Sequence, residues 1–99
     1  MKVNVHAVGF SVDRKLVDFI QIRLAKLEKY YDKIVAADVY LKVENTSDKE
    51  NKVAEVKLSI PGDDLIVKKQ CKSFEESIEL SGESLERLLV KRKEKARAI

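Results

Sequence analysis

The chain has 99 residues, 44% of them hydrophobic and 37% charged, with a formal net charge of +3. A chain of this length makes a single domain, residues 1–99, and buries about two-thirds of its unfolded surface, so it needs no disulfide or metal to staple it. Its one cysteine, Cys71, excludes an internal disulfide; with no long apolar run in MKVNVHAVGF and no stretch near the length of a membrane span, a cytoplasmic protein is expected.

Val3, Val5 and Ala7 alternate with Asn4 and His6, a period of two that predicts a first strand from Lys2 to Val8, ended by Gly9. Ser11 is the expected N-cap of the first helix, its hydroxyl accepting a backbone N–H one turn later. Leu16, Ile20, Leu24, Leu27 and Tyr31 then recur at helical spacing, uninterrupted by Gly or Pro, and predict a helix to about Lys33. Ala37, Val39, Leu41 and Val43 alternate with polar residues as a second strand, and the polar run Asn45–Asn51 reads as a hairpin loop. Ala54, Val56, Leu58 and Ile60 mark a third strand, and Pro61-Gly62-Asp63-Asp64 a tight turn. Leu65 to Lys72 is the fourth strand, its adjacent Lys68 and Lys69 suited to a guarded edge. The last helix starts near Phe74, with Ser73 as N-cap and Glu76 at capping-box spacing. Phe74, Ile78, Leu85, Leu88 and Leu89 mark its buried face. Gly82 lies on that side in mid-helix, where close approach to the sheet is the expected reason for it.

The order β-α-β-β-β-α predicts an α+β fold, a four-stranded mixed sheet with two helices packed side by side on one face. A right-handed crossover through the first helix makes the first two strands parallel, and two hairpins make the remainder antiparallel. Every strand alternates, so the other sheet face is wet.

Both helices sort their charges by sign. At about 100° per residue, Lys15, Lys26, Lys29 and Lys33 fall on one flank of the first helix, with Asp18, Glu28 and Asp32 beyond it. Arg23 lies between that stripe and the core, placed for its stem to snorkel. Arg87, Lys91 and Lys95 form one ridge of the last helix at i, i+4, i+8, begun by Ser84, and Glu76, Glu79, Glu83 and Glu94 lie beyond it. Solvated helix faces also carry charge runs. Two neighbouring helices with the same asymmetry favour an anionic partner, because clustered cations displace the counterions condensed on phosphate. The candidate residues for binding such a polyanion are therefore Arg23, Lys26, Lys29, Lys33, Arg87, Lys91 and Lys95. The tail KRKEKAR either extends that contact or solubilises the chain end.

The residues for catalysis are missing. His6, the only histidine, sits in a strand with no metal-ligand types around it. Cys71 has no CxxC partner and reads as a small core residue. Three glycines make no phosphate cradle, and turn chemistry accounts for Asp63 and Asp64. Of Tyr30 and Tyr31, one is expected in the core and the other available to stack on a base. No enzymatic activity, metal, cofactor, membrane or small-molecule substrate is expected. The alternative reading is a generic RNA-binding or protein-interaction module that uses the exposed sheet face around Tyr40, Lys42, Glu55 and Lys57.

The segment RLAKLEKYYDKI (Arg23 to Ile34), the PGDDLIV turn and strand, and SFEESIELSGESLERLLVKRKEK (Ser73 to Lys95) resemble the ribosome hibernation-promoting factors. These are also called ribosome-associated inhibitors, protein Y or sigma-54 modulation proteins. The likeness spans essentially the whole chain in the same element order. It implies a double-stranded-RNA-binding-domain-like fold. It also implies binding to the small (30S) ribosomal subunit and its 16S rRNA, in the decoding channel where messenger RNA and the A- and P-site transfer RNAs lie. Such proteins inhibit translation and stabilise idle ribosomes in stationary phase or stress. The family's RNA contacts come largely from basic helix residues, which match Arg23, Lys26, Lys29, Arg87 and Lys91 here. Two places depart: Ser73-Phe74-Glu75 stands where the family has Asp-x-Tyr, and Ser84 where it has a basic residue before Leu-Glu-Arg. With the chain ending at Ile99, the likeness is to the short form. That form implies a separate ribosome-dimerising partner, or the blocking of single ribosomes.

Overall fold

The computed structural model describes residues 1–45 and 49–97, and of 96 and 97 the backbone alone. Strand β1 (Lys2–Val8) leads into helix α1 (Arg14–Ala25) and a 3₁₀ turn (Lys26–Lys29). Strands β2 (Ala36–Val43), β3 (Lys52–Ile60) and β4 (Asp63–Cys71) follow, then helix α2 (Phe74–Arg97). The sheet order is β1-β2-β3-β4, with β1 parallel to β2 and the other two pairs antiparallel. This is the α+β architecture that the alternation predicts.

The core follows the strand period. Ala37, Val39 and Leu41 of β2 and Ala54, Val56, Leu58 and Ile60 of β3 point to one side, against Ile20, Leu24 and Leu27 and against Ile78, Leu85 and Leu89 of α2. The register sets Val39 opposite Val56 and Leu41 opposite Ala54, so inward side chains meet across the strands. Pro61 and Gly62 alone form the β3–β4 turn, with Gly62 at φ +79°. Asp63 and Asp64 are therefore not turn residues: they already pair with Ile60 and Ser59 in the ladder. Cys71 is buried, as a small core residue. Among the described residues, no helix is long and apolar enough to cross a membrane.

The first helix departs from expectation at both ends. Its N-cap is Asp13, not Ser11: Asp13 is extended and its Oδ1 accepts from the Leu16 N–H at 2.8 Å. A carboxylate there also complements the positive helix end, which a serine hydroxyl does not. The α-helix stops at Ala25 rather than near Lys33, and the chain tightens into the 3₁₀ turn. Tyr30 and Tyr31 N–H groups both donate to the Leu27 carbonyl, at 2.9 and 3.2 Å, closing the end. The chain has to turn back here, because Ile34 enters the core and the Val35 N–H donates to the Ser59 carbonyl at 2.9 Å, ahead of β2.

In α2 the Ser73 cap is present, its hydroxyl accepting from the Glu76 N–H at 3.1 Å. Leu88, expected on the buried face, is exposed instead, while Ser77 and Ser81 are fully buried. The Ser77 hydroxyl lies 2.6 Å from the Lys52 carbonyl, so this small polar side chain lets the helix sit close to β3 and still satisfies a backbone acceptor. The Asn45–Asn51 loop falls partly outside the described residues, at 46–48. On its flanks the Glu44 N–H donates to the Asn51 carbonyl at 2.9 Å.

Candidate nucleic-acid interface

The two helices run parallel. Arg23 of α1 meets Glu79, Gly82 and Glu86 of α2, while Tyr30, further along, shares a cleft with Glu86, Val90 and Glu94. The end of α1 and its 3₁₀ turn therefore lie beside the C-terminal half of α2. Lys26 and Lys29 follow the negative pole of α1, and Lys91, Lys93 and Lys95 approach that of α2, a placement the macrodipole favours. Glu75 and Glu76 sit at the opposite, positive end of α2. In α1 the arrangement differs, since that helix opens with Arg14 and Lys15 and has no acidic residue in its first turn.

Arg23 is not part of the exposed wall. It is 5% exposed, its Nε donating to Glu79 at 2.7 Å and its Nη2 to Glu86 at 2.9 Å. Burial would lower its pKa, but hydrogen bonds and charge from Glu86 and Glu79 outweigh this and raise it. Expected to snorkel towards an RNA, its head instead bridges the helices. Gly82 is explained by the same contact rather than by the sheet: a Cβ there would lie 2.6 Å from Arg23 Cζ.

The other candidates are exposed. Lys26 and Lys29 are three apart in the 3₁₀ turn, where such positions eclipse, so they share one edge. Lys33 is not on a helical ridge, since it follows in the turn beyond Tyr30. Arg87, Lys91 and Lys95 keep their ridge along the unbroken α2. Among the described residues, none of Lys26, Lys29, Lys33, Arg87, Lys91 and Lys95 makes an ion pair with a carboxylate.

Two open clefts lie where the end of α1 meets the C-terminal half of α2, and Tyr30 borders both. One, of about 430 Å³, is lined by Tyr30, Glu86, Arg87, Val90, Lys91 and Glu94. The other, of about 500 Å³, takes Glu28, Lys29, Tyr30, Tyr31, Asp32 and Lys33 together with Lys93 of α2. Lys93 joins the site only through the parallel packing, although it stands in the basic run from Lys91 that the sequence displays. Lys95 lies on the other side of the ridge, with Leu65, Leu88, Lys91 and Arg92. Arg92 is turned to Asp63 and fastens α2 to the start of β4. Carboxylates are present but partly engaged: Glu86 holds Arg23, and Glu28 lies 3.5 Å from the N-terminal amine.

Part of the wet sheet face is paired within itself. His6 stacks on Tyr40 with centroids 4.9 Å apart, and Asn4 donates to Asp38 at 3.1 Å. Lys42 pairs with Glu44 at 3.0 Å and Lys57 with Asp64 at 3.8 Å. Among the described residues, no group of His, Cys, Asp and Glu is placed to hold a metal ion.

The family described as Sigma 54 modulation protein / S30EA ribosomal protein matches residues 3–97. A ribosome hibernation promoting factor of Pseudomonas putida is 30% identical over 99 residues, covering 100% of this chain and 93% of that protein. The ribosome hibernation promotion factor of Bacillus subtilis is 32% identical over 97 residues, which cover 96% of this chain but 50% of that protein. A solved ribosomal subunit interface protein from Coxiella burnetii superposes with a TM-score of 0.82 at 17% identity, covering 94% of this chain and 98% of that one. The Protein Y N-terminal domain of Thermus thermophilus gives 0.81 at 20% identity, over 92% and 98%. Both share the fold.

Proposed function

The chain belongs to the Sigma 54 modulation protein / S30EA ribosomal protein family, and we propose that it is a non-enzymatic ribosome hibernation factor acting in the cytoplasm. It binds the small (30S) subunit through 16S rRNA in the decoding channel, excluding messenger and transfer RNA. The observation that carries this reading is the placing of the end of α1 beside the C-terminal half of α2. Lys29, Lys33 and Lys93 line one cleft there and Arg87 and Lys91 the other, with Lys26 in the same 3₁₀ turn as Lys29, while Lys42 and Lys57 on the sheet face are paired with carboxylates. Phosphate contacts of this kind position a protein on RNA with little base readout. The pairing of Lys42 and Lys57 also leaves the alternative, a module docking through that face, with fewer free cations to attract a partner.

The deciding experiment is cosedimentation with purified small subunits. Charge reversal of Lys26, Lys29, Arg87 and Lys91 together abolishes cosedimentation and leaves the circular dichroism spectrum intact. Unchanged cosedimentation refutes the surface. A sucrose gradient of ribosomes with and without the protein shows whether it blocks single ribosomes or forms a dimer peak, and whether a separate dimerising factor has to be added.

A further inference from the structure

We infer that Tyr30 is a stacking platform for an unpaired nucleobase, so that the helix-end site takes a single-stranded stretch of ribosomal RNA rather than a duplex. The inference rests on the ribosome-binding reading and names the nucleotide that the site accepts. Tyr30 caps the 3₁₀ turn, its N–H bonded to the Leu27 carbonyl at 2.9 Å, so its backbone is held in place. Its neighbour Tyr31 packs against the core, but Tyr30 is exposed and borders both clefts. Among the described residues, the stacked ring pairs are His6–Tyr40 and Phe10–Phe74, and the Tyr30 ring stacks on neither.

The charges around the ring divide the labour. Arg87 and Lys91 line one cleft beside it, and Lys29, Lys33 and Lys93 line the other together with Glu28 and Asp32, so cations border the ring in both clefts. Glu94 and Glu86 line the nearer cleft. Carboxylates there repel a phosphate and accept hydrogen bonds from the donors on a base edge. A cleft with a bare aromatic ring, acceptors on its lining and cations beside the ring is complementary to a splayed-out nucleotide. A duplex keeps its base faces inside the stack, beyond reach of the ring, and needs only the cations.

The test uses the full chain with Tyr30→Ala and Tyr30→Phe, titrated against purified small subunits at several salt concentrations, with chemical probing of 16S rRNA bases. Loss of base–aromatic stacking is expected to weaken binding about tenfold in Tyr30→Ala and to remove one base protection. Tyr30→Phe keeps both. The salt dependence stays that of the parent in either variant, because no phosphate contact is lost. Three results overturn the inference: Tyr30→Ala binding as tightly as the parent with all protections kept, equal losses in Ala and Phe variants, or a shallower salt slope in Tyr30→Ala. If binding survives Tyr30→Ala but not the fourfold charge reversal, this inference alone falls. If it survives both, the ribosome-binding surface falls with it.

Discussion

The guanidinium of Arg23 occupies the space above Gly82 where a side chain would otherwise project: a Cβ at position 82 would lie 2.6 Å from Arg23 Cζ and 2.7 Å from Nη2. One residue gives up its side chain so that another, from the neighbouring helix, can bury its charge between two carboxylates. The contact ties α2 to α1 ahead of the cluster of basic residues.

Gly82→Ala should therefore reverse its usual sign. In an ordinary helix interior the change stabilises by about 1 kcal/mol. Here the new methyl displaces a buried, doubly hydrogen-bonded guanidinium, and we expect a net loss of about 1–3 kcal/mol in urea unfolding. The same substitution in an Arg23→Ala background should be neutral or stabilising. A double-mutant cycle with no coupling between positions 23 and 82 would show that the contact is not energetically real.

Arg23 and Lys91 should separate cleanly into structure and contact. Arg23→Gln is expected to cost about 2 kcal/mol of stability, below the figure for fully buried pairs because Glu79 remains half exposed. Its effect on the salt dependence of small-subunit binding should be nil. Lys91→Ala should change stability by less than about 0.5 kcal/mol and lower the salt slope by about one. A slope lowered by Arg23→Gln would return Arg23 to the RNA contacts.

The tie between α2 and the β3–β4 hairpin should weaken in acid. The Asp64 N–H, and after it the Arg92 guanidinium, hold the Asp63 carboxyl below its ordinary value of 3.8. A depressed folded pKa means stability that is fully present above about pH 4 and lost as pH falls through the lowered value. Thermal unfolding of the parent and Asp63→Asn should differ above that pH and converge below it. A difference that persists or grows in acid contradicts the assignment.

The two buried serines of α2 should behave differently when changed to alanine. Ser77 satisfies the Lys52 carbonyl on β3, so Ser77→Ala is expected to cost about 1–2 kcal/mol. The Ser81 hydroxyl bonds back to the Ser77 carbonyl of its own helix, and its removal should stay within about 0.5 kcal/mol. Equal costs in denaturant unfolding would mean that closeness to the sheet, and not the bond to Lys52, sets the value of both.

Local physics made most of the fold legible. Alternation at Val3, Val5 and Ala7 and through Ala54 to Ile60 predicts strands because a sheet with one wet face imposes a period of two. Ser73 and Gly62 are readable because capping and positive φ act over a few residues. The end of α1 was not readable, since the step from Leu27 to Tyr31 fits a continuing helix as well as a tightening one.

The sequence by itself determined the strands, the helices and which residues carry charge, since each of these depends on neighbours within a turn or two. Only the tertiary structure decided which charges are available. Arg23 is silenced by carboxylates 56 and 63 residues away, and Lys93 is recruited to Lys29 and Lys33. The reason is that a helical wheel gives direction around one axis. It does not state how two axes are slid and oriented against each other, which here follows from interlocking side chains between the helices.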